Sequence, residues 1–158
     1  MTDISQPDPR SLTLTRVIHA PAQKLFDCWT KPELLTKWFT PPPYIVPHAE
    51  TDLRVGGITL IVMRSPEGVE FPNRGVYLDV VPGKKIVFTD AYTEAWIPSE
   101  KPFMTATIEF IDQGDGTTLY KATVLHWTQE DKESHEKMGF HQGWGIATDQ
   151  LAALASTL

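Results

Sequence analysis

The segment GVYLDVVPGKKIVFTD, residues 75–90, decides the fold. Two runs rich in Val, Ile, Tyr and Phe flank Pro82-Gly83, a dipeptide that turns a chain between strands. GVYLDVV and KKIVFTDAY therefore read as a β-hairpin. The same pattern repeats on both sides. Upstream, YIVPHAETDLRV (44–55) and ITLIVMR (58–64) flank a tight turn at Gly56-Gly57, and SPEG ends the second run. Downstream, FMTATIEFI (103–111) and TTLYKATVLHW (117–127) flank DQGDG. Consecutive strands with short connections make an antiparallel sheet.

Different elements bracket this sheet. Residues 1–10 read as a flexible arm. SLTLTRVIH (11–19) alternates Leu12 and Leu14 with Thr13 and Thr15, as a strand does. Pro21 suits the first turn of a short helix, APAQKLFDCWT, with Leu25, Phe26 and Trp29 on one side. Thr30 and Glu33 read as a capping box for a second, PELLTKWF, which the prolines 41–43 stop. At the other end, Thr128 and Asp131 read as the cap of one long helix running to about Ser156, ~40 Å in length. Its stripe of Phe140, Trp144, Ala147, Leu151, Leu154 and Leu158 needs an apolar surface, which the inner face of the sheet supplies. Gly143 and Gly145 each weaken that helix by ~1 kcal/mol relative to alanine, which implies close approach of another element or a local bend. The fold class is α+β: a curved antiparallel sheet of about six to seven strands, two short helices and one long C-terminal helix over the sheet, in a single domain over residues 11–158.

The chain of 158 residues carries a net charge of −6, so it lacks the basic footprint that nucleic-acid binding needs. No run is long and apolar enough for a transmembrane helix, and MTDISQPDPR has no apolar segment of a signal peptide. Cys28 is the single cysteine, so no internal disulfide forms. These features point to a cytoplasmic setting and to no membrane partner.

PELLTKWF, DLRVGG, GVYLDVVPGKKIVFTD, the strand pair around DGTT, and GW in the last helix carry a resemblance. Together they resemble the bacterial proteins related to the C-terminal domain of the activator of the heat-shock-protein-90 ATPase (AHSA-type). These belong to the START-like, SRPBCC or birch-pollen-allergen-like superfamily. The resemblance covers roughly residues 11–156. It implies the helix-grip fold, with a cavity between the curved sheet and the long helix. In the superfamily such cavities hold apolar or amphipathic small molecules, and in a minority they perform ring closure, dehydration or hydrolysis. No shared catalytic set is implied. The family name also raises a chaperone partner, which requires a sizeable exposed apolar patch.

Period-two alternation assigns faces. Ile86, Phe88, Asp90 and Tyr92 share one face. So do Met104, Ala106, Ile108 and Phe110, and so do Tyr120, Ala122, Val124 and His126. ITLIVMR is apolar on both faces, and the family pattern favours Thr59, Ile61 and Met63 inside. His48 or Glu50 can add a polar group from the second strand. An apolar pocket with a few converging polar groups is the form of a small-molecule site. The expected ligand contacts are Met63, Phe88, Tyr92, Trp96, His126, Met138, His141 and Trp144. Tyr92, Trp96 and Phe103 flank the loop AYTEAWIPSEKP, as an aromatic lid or as plain loop packing.

Three functions follow from these residues. The first is holding a small apolar or aromatic molecule, with no cofactor. The second is an enzyme on a cyclic or polyketide-like substrate, with His126, His141 and Asp90 as the candidates for proton transfer. A hydrogen-bonded interior histidine and a turn-capping Asp90 are the plainer readings of the same residues. The third is a chaperone co-factor or interaction module. The five histidines (19, 48, 126, 135 and 141) show no metal-ligand spacing, and Cys28 in an apolar helix reads as an inert buried thiol. A homodimer is compatible with the sequence, which marks no surface for it.

Overall fold

The computed structural model describes residues 8–158. The expected arm therefore lies outside the described residues except for Asp8–Arg10. These three form a turn in which Ser11 N donates to Asp8 O at 2.9 Å and the Arg10 guanidinium pairs with the Asp8 carboxylate.

The chain then runs through β1 (Ser11–Ile18), α1 (Ala22–Thr30) and α2 (Pro32–Trp38). Next come β2 (Ile45–Thr51), β3 (Ile58–Arg64), β4 (Glu70–Val81) and β5 (Lys85–Thr89). A small hairpin follows, β6 (Tyr92–Glu94) and β7 (Ile97–Pro98), then β8 (Met104–Asp112) and β9 (Thr118–His126). Two helices, α3 (Gln129–Lys137) and α4 (Phe140–Ala155), end it. Seven strands form one antiparallel sheet in the order β1-β9-β8-β5-β4-β3-β2, and β6-β7 pair separately. This is the helix-grip fold.

Alternation sets the core as the sequence implies. Tyr120, Ala122, Val124 and His126 are buried along β9, and Ala106, Ile108 and Phe110 along β8. All of these but His126 meet Leu25, Phe26 and Trp29 of α1, Leu35 and Trp38 of α2, and Phe140, Leu151 and Ala155 of α4 in one cluster. Each large apolar side chain buried this way stabilises the fold by about 1.5–3 kcal/mol. A polar bond crosses the cluster: the Trp29 indole donates to the Tyr120 hydroxyl at 3.1 Å. The β2 margin of the sheet carries Pro47, and its pairing with β3 is irregular between Ile45 and His48.

Four expectations are corrected. The long C-terminal helix is two helices, because Gly139 adopts φ 97° between α3 and α4. That left-handed conformation costs other residues about 1–2 kcal/mol, which is why glycine stands there. Thr30 does not cap α2: Lys31 occupies the N-cap position, and the Thr30 hydroxyl donates back to Phe26 O at 2.8 Å. Gly143 has no atom within 4 Å of a notional Cβ, so nothing approaches it closely. Gly145 does meet a neighbour: Arg16 of β1 passes at 3.4 Å on its way to an ion pair with Asp149. Finally, β4 begins at Glu70 rather than Gly75, held to β3 by pairing that includes the Arg64–Glu70 ion pair.

Candidate functional site

A cavity of about 290 Å³ opens between the end of α2, strands β3, β4, β5 and β8, and the segment 93–101. Its apolar floor comes from Phe39, Ile61, Phe88 and Met104. The sheet geometry makes the space. Phe88 and Ile61 point inward by alternation, and Gly75 lies between their strands with no side chain. A Cβ on Gly75 would stand 2.2 Å from Thr89 O, so β4 and β5 approach here as only glycine allows.

Polar groups ring this floor. Thr59, Asn73, Thr89, Asp90, Thr93 and Ser99 line it, with Arg74 and Lys101 at the exposed rim. Asn73, Thr89 and Asp90 are already engaged. Asn73 Nδ2 donates to Ile61 O at 3.1 Å. Thr89 Oγ1 donates to Met104 O and accepts from the Thr105 hydroxyl at 2.9 Å. Asp90 Oδ1 accepts from the amides of Phe103 at 2.8 Å and Met104 at 3.1 Å. Burial pushes the Tyr77 hydroxyl, near Thr59, up to about 12. Ser99 Oγ differs: it is buried and has no hydrogen-bond partner. A buried hydroxyl left in that state costs about 1–3 kcal/mol.

Among the residues expected to touch a ligand, Phe88 alone lines this cavity. Met63 lies further along β3, opposite Phe71. Tyr92 turns its ring to Trp96, edge-on at 5.6 Å, and Trp96 is 67% exposed. The loop thus presents Thr93, Ser99 and Lys101 to the cavity, while its aromatic side chains face elsewhere. Met138 is 72% exposed at the end of α3. Trp144, partly buried, packs on Phe140 at 5.1 Å against the core. The C-terminal helix therefore contributes no wall, because its apolar stripe is spent on α1, α2 and the sheet.

The histidines form another group. His126 is 1% exposed. Its Nδ1 donates to Arg10 O at 2.9 Å, since a carbonyl can only accept. Its Nε2 shares a hydrogen bond with His135 Nδ1 at 2.8 Å. Phe103 and Phe140 close on this pair edge-on or tilted, with ring centres 5.1–5.3 Å away. His141 is exposed and reaches Glu136 at 3.4 Å. His126, His141 and Asp90 do not converge, so the three proton-transfer candidates do not form a constellation. His48 and Glu50 face each other at 3.5 Å on the surface of β2. Burial pushes the Cys28 thiol up to about 11, with Asp27 adding to the effect, so it is protonated at neutral pH. No helix among the described residues is long and apolar enough to cross a membrane.

Sequence reasoning missed Asn73, Ser99 and Lys101. Asn73 sits in the part of β4 that lacks alternation, and the other two lie in an irregular loop.

The arrangement matches known proteins. Residues 19–156 fit the family described as Activator of Hsp90 ATPase homolog 1-like protein. The chain belongs to this family. Among solved structures, protein NE0264 from Nitrosomonas europaea superposes with a TM-score of 0.91 at 38% identity, over 96% of this chain and 97% of that one. Protein Ms6760 from Mycobacterium smegmatis is similar at 25% identity and a TM-score of 0.74, over 92% and 90% of the two chains. Protein CV1439 from Chromobacterium violaceum is similar at 26% identity and a TM-score of 0.71, over 94% and 98%. No curated protein matches this chain. The Activator of Hsp90 ATPase homolog 1-like family thus accounts for the sheet, the helices and their order, while the cavity lining is read from this chain's own residues.

Proposed function

We propose that this chain binds a small apolar or aromatic molecule in the cavity framed by Phe39, Ile61, Phe88 and Met104. One observation carries the reading: an apolar-floored space of about 290 Å³ lies on the sheet beside the buried core cluster. That volume is at the lower end of the roughly 300–1,000 Å³ range of small-molecule sites, which favours a compact ligand. The family membership supports the same reading, because the helix-grip fold is consistent with a ligand-binding domain.

The test is a thermal-shift screen of neutral aromatic compounds, followed by NMR mapping on the Ile61 and Met104 methyl groups. A ligand at ~100 times its dissociation constant adds about 2.7 kcal/mol of stability. Perturbation centred on Ile61 and Met104 supports the proposal. Binding that maps to other surfaces, or none across the screen, overturns it.

A further inference from the structure

Two kinds of unpaired polar group meet in this cavity. Ser99 Oγ is the buried side-chain polar atom left without a partner among the described residues. Arg74 and Lys101 stand at the rim, and neither is in an ion pair among the described residues. Every other arginine has a carboxylate: Arg10 with Asp8, Arg16 with Asp149, Arg54 with Asp52 and Arg64 with Glu70. On a chain of net charge −6, an unmatched arginine and lysine at the mouth of one cavity are a local excess of positive charge. Asp90 is the carboxylate in the lining, and two amide donors already stabilise its charge.

We propose that the ligand is a small monocarboxylate, with its apolar body on Phe88 and Met104 and its carboxylate received by the Ser99 hydroxyl and the Lys101 ammonium. This rests on the cavity being the binding site. Once the Ser99 side chain turns about χ1 from its enclosed position towards the cavity, a carboxylate supplies the acceptor that Oγ lacks, and it supplies the negative charge that the rim lacks. It does so with a single charge, which Lys101 balances. A phosphate dianion fits less well, since it would face Asp90 with one hydroxyl and no helix N-terminus to hold it.

The test compares 3-phenylpropionate with 3-phenylpropan-1-ol, which share a skeleton and differ in the charged group. Dissociation constants are measured by NMR titration of the full chain at low salt. The acid is expected to bind about tenfold more tightly than the alcohol, as a charge-assisted contact in a partly enclosed site implies. Lys101→Met is expected to remove that preference without weakening the alcohol. Ser99→Ala is expected to weaken the acid several-fold. Equal affinity for acid and alcohol, or an acid preference that survives Lys101→Met, overturns the carboxylate proposal and leaves the cavity reading standing. Failure of both compounds to perturb Ile61 and Met104 overturns the two together.

Discussion

His135 Nδ1 and His126 Nε2 share a hydrogen bond of 2.8 Å, and His126 passes the constraint on by donating from Nδ1 to the carbonyl of Arg10. One chain of bonds thus ties α3, the end of β9 and the start of β1. Burial first, and His126 second, push His135 down to about 4. An unfolded chain has the ordinary value of 6.5 and takes up its proton first as pH falls. The contribution is complete above pH 6.5 and is lost as pH falls towards about 4. The urea midpoint is expected to be lower near pH 5 than near pH 7.5, and His135→Phe is expected to flatten that slope. An unchanged slope in the variant would remove His135 from the account.

Two glycines of the terminal helices should respond in opposite directions. Gly143 lies inside α4 with open space around its notional Cβ, so Gly143→Ala should stabilise by up to ~1 kcal/mol. Gly139 holds φ 97°, so Gly139→Ala should destabilise by about 1–2 kcal/mol. Melting temperatures of the two variants, compared with the parent, check both signs at once.

The Trp29–Tyr120 bond lies within the core, with Trp29 4% and Tyr120 1% exposed. Tyr120→Phe keeps the ring but strips the indole of its acceptor. A loss of about 1–3 kcal/mol is expected from the unpaired N–H. Chemical denaturation measures it. Trp29→Phe in the same background should restore part of the loss, because no donor is then left unpaired.

Asp90 organises the segment that borders the cavity. Asp90→Ala frees the amides of Phe103 and Met104 and should speed their hydrogen exchange at least several-fold. Asp90→Asn retains an acceptor oxygen and should leave exchange close to the parent rate. Equal exchange in the alanine variant would show that β8 fixes this segment unaided.

Much of the architecture was readable because alternation is strong. Leu12 and Leu14 of β1, and the inward residues of β8 and β9, are buried as their spacing implies. The break at Gly139 was not readable from periodicity. QEDKESHEK of α3 buries no residue and so has no apolar stripe whose direction could change. The cavity was harder still. Ser99 and Lys101 lie in a segment with no period, and EFPNR lacks the alternation that would mark the start of β4. His126 and His135 are separated by 9 residues across an element boundary, where neither strand nor helix spacing relates them. Trp144 and His141 show what helical spacing alone leaves open. Helical position was read correctly, but α4 turns its apolar face to the core and leaves His141 in solvent.

Pro47 has a consequence for association. β2 is one outer margin of the sheet, and there Pro47 offers no amide hydrogen while the adjoining register slips. At the opposite margin, α3 and α4 lie against β1. A foreign strand seeking to extend the ladder meets a missing donor on one side and helices on the other. The sheet is thereby a poor template for cross-β growth, and crowding should drive this chain toward surface contacts rather than fibrils.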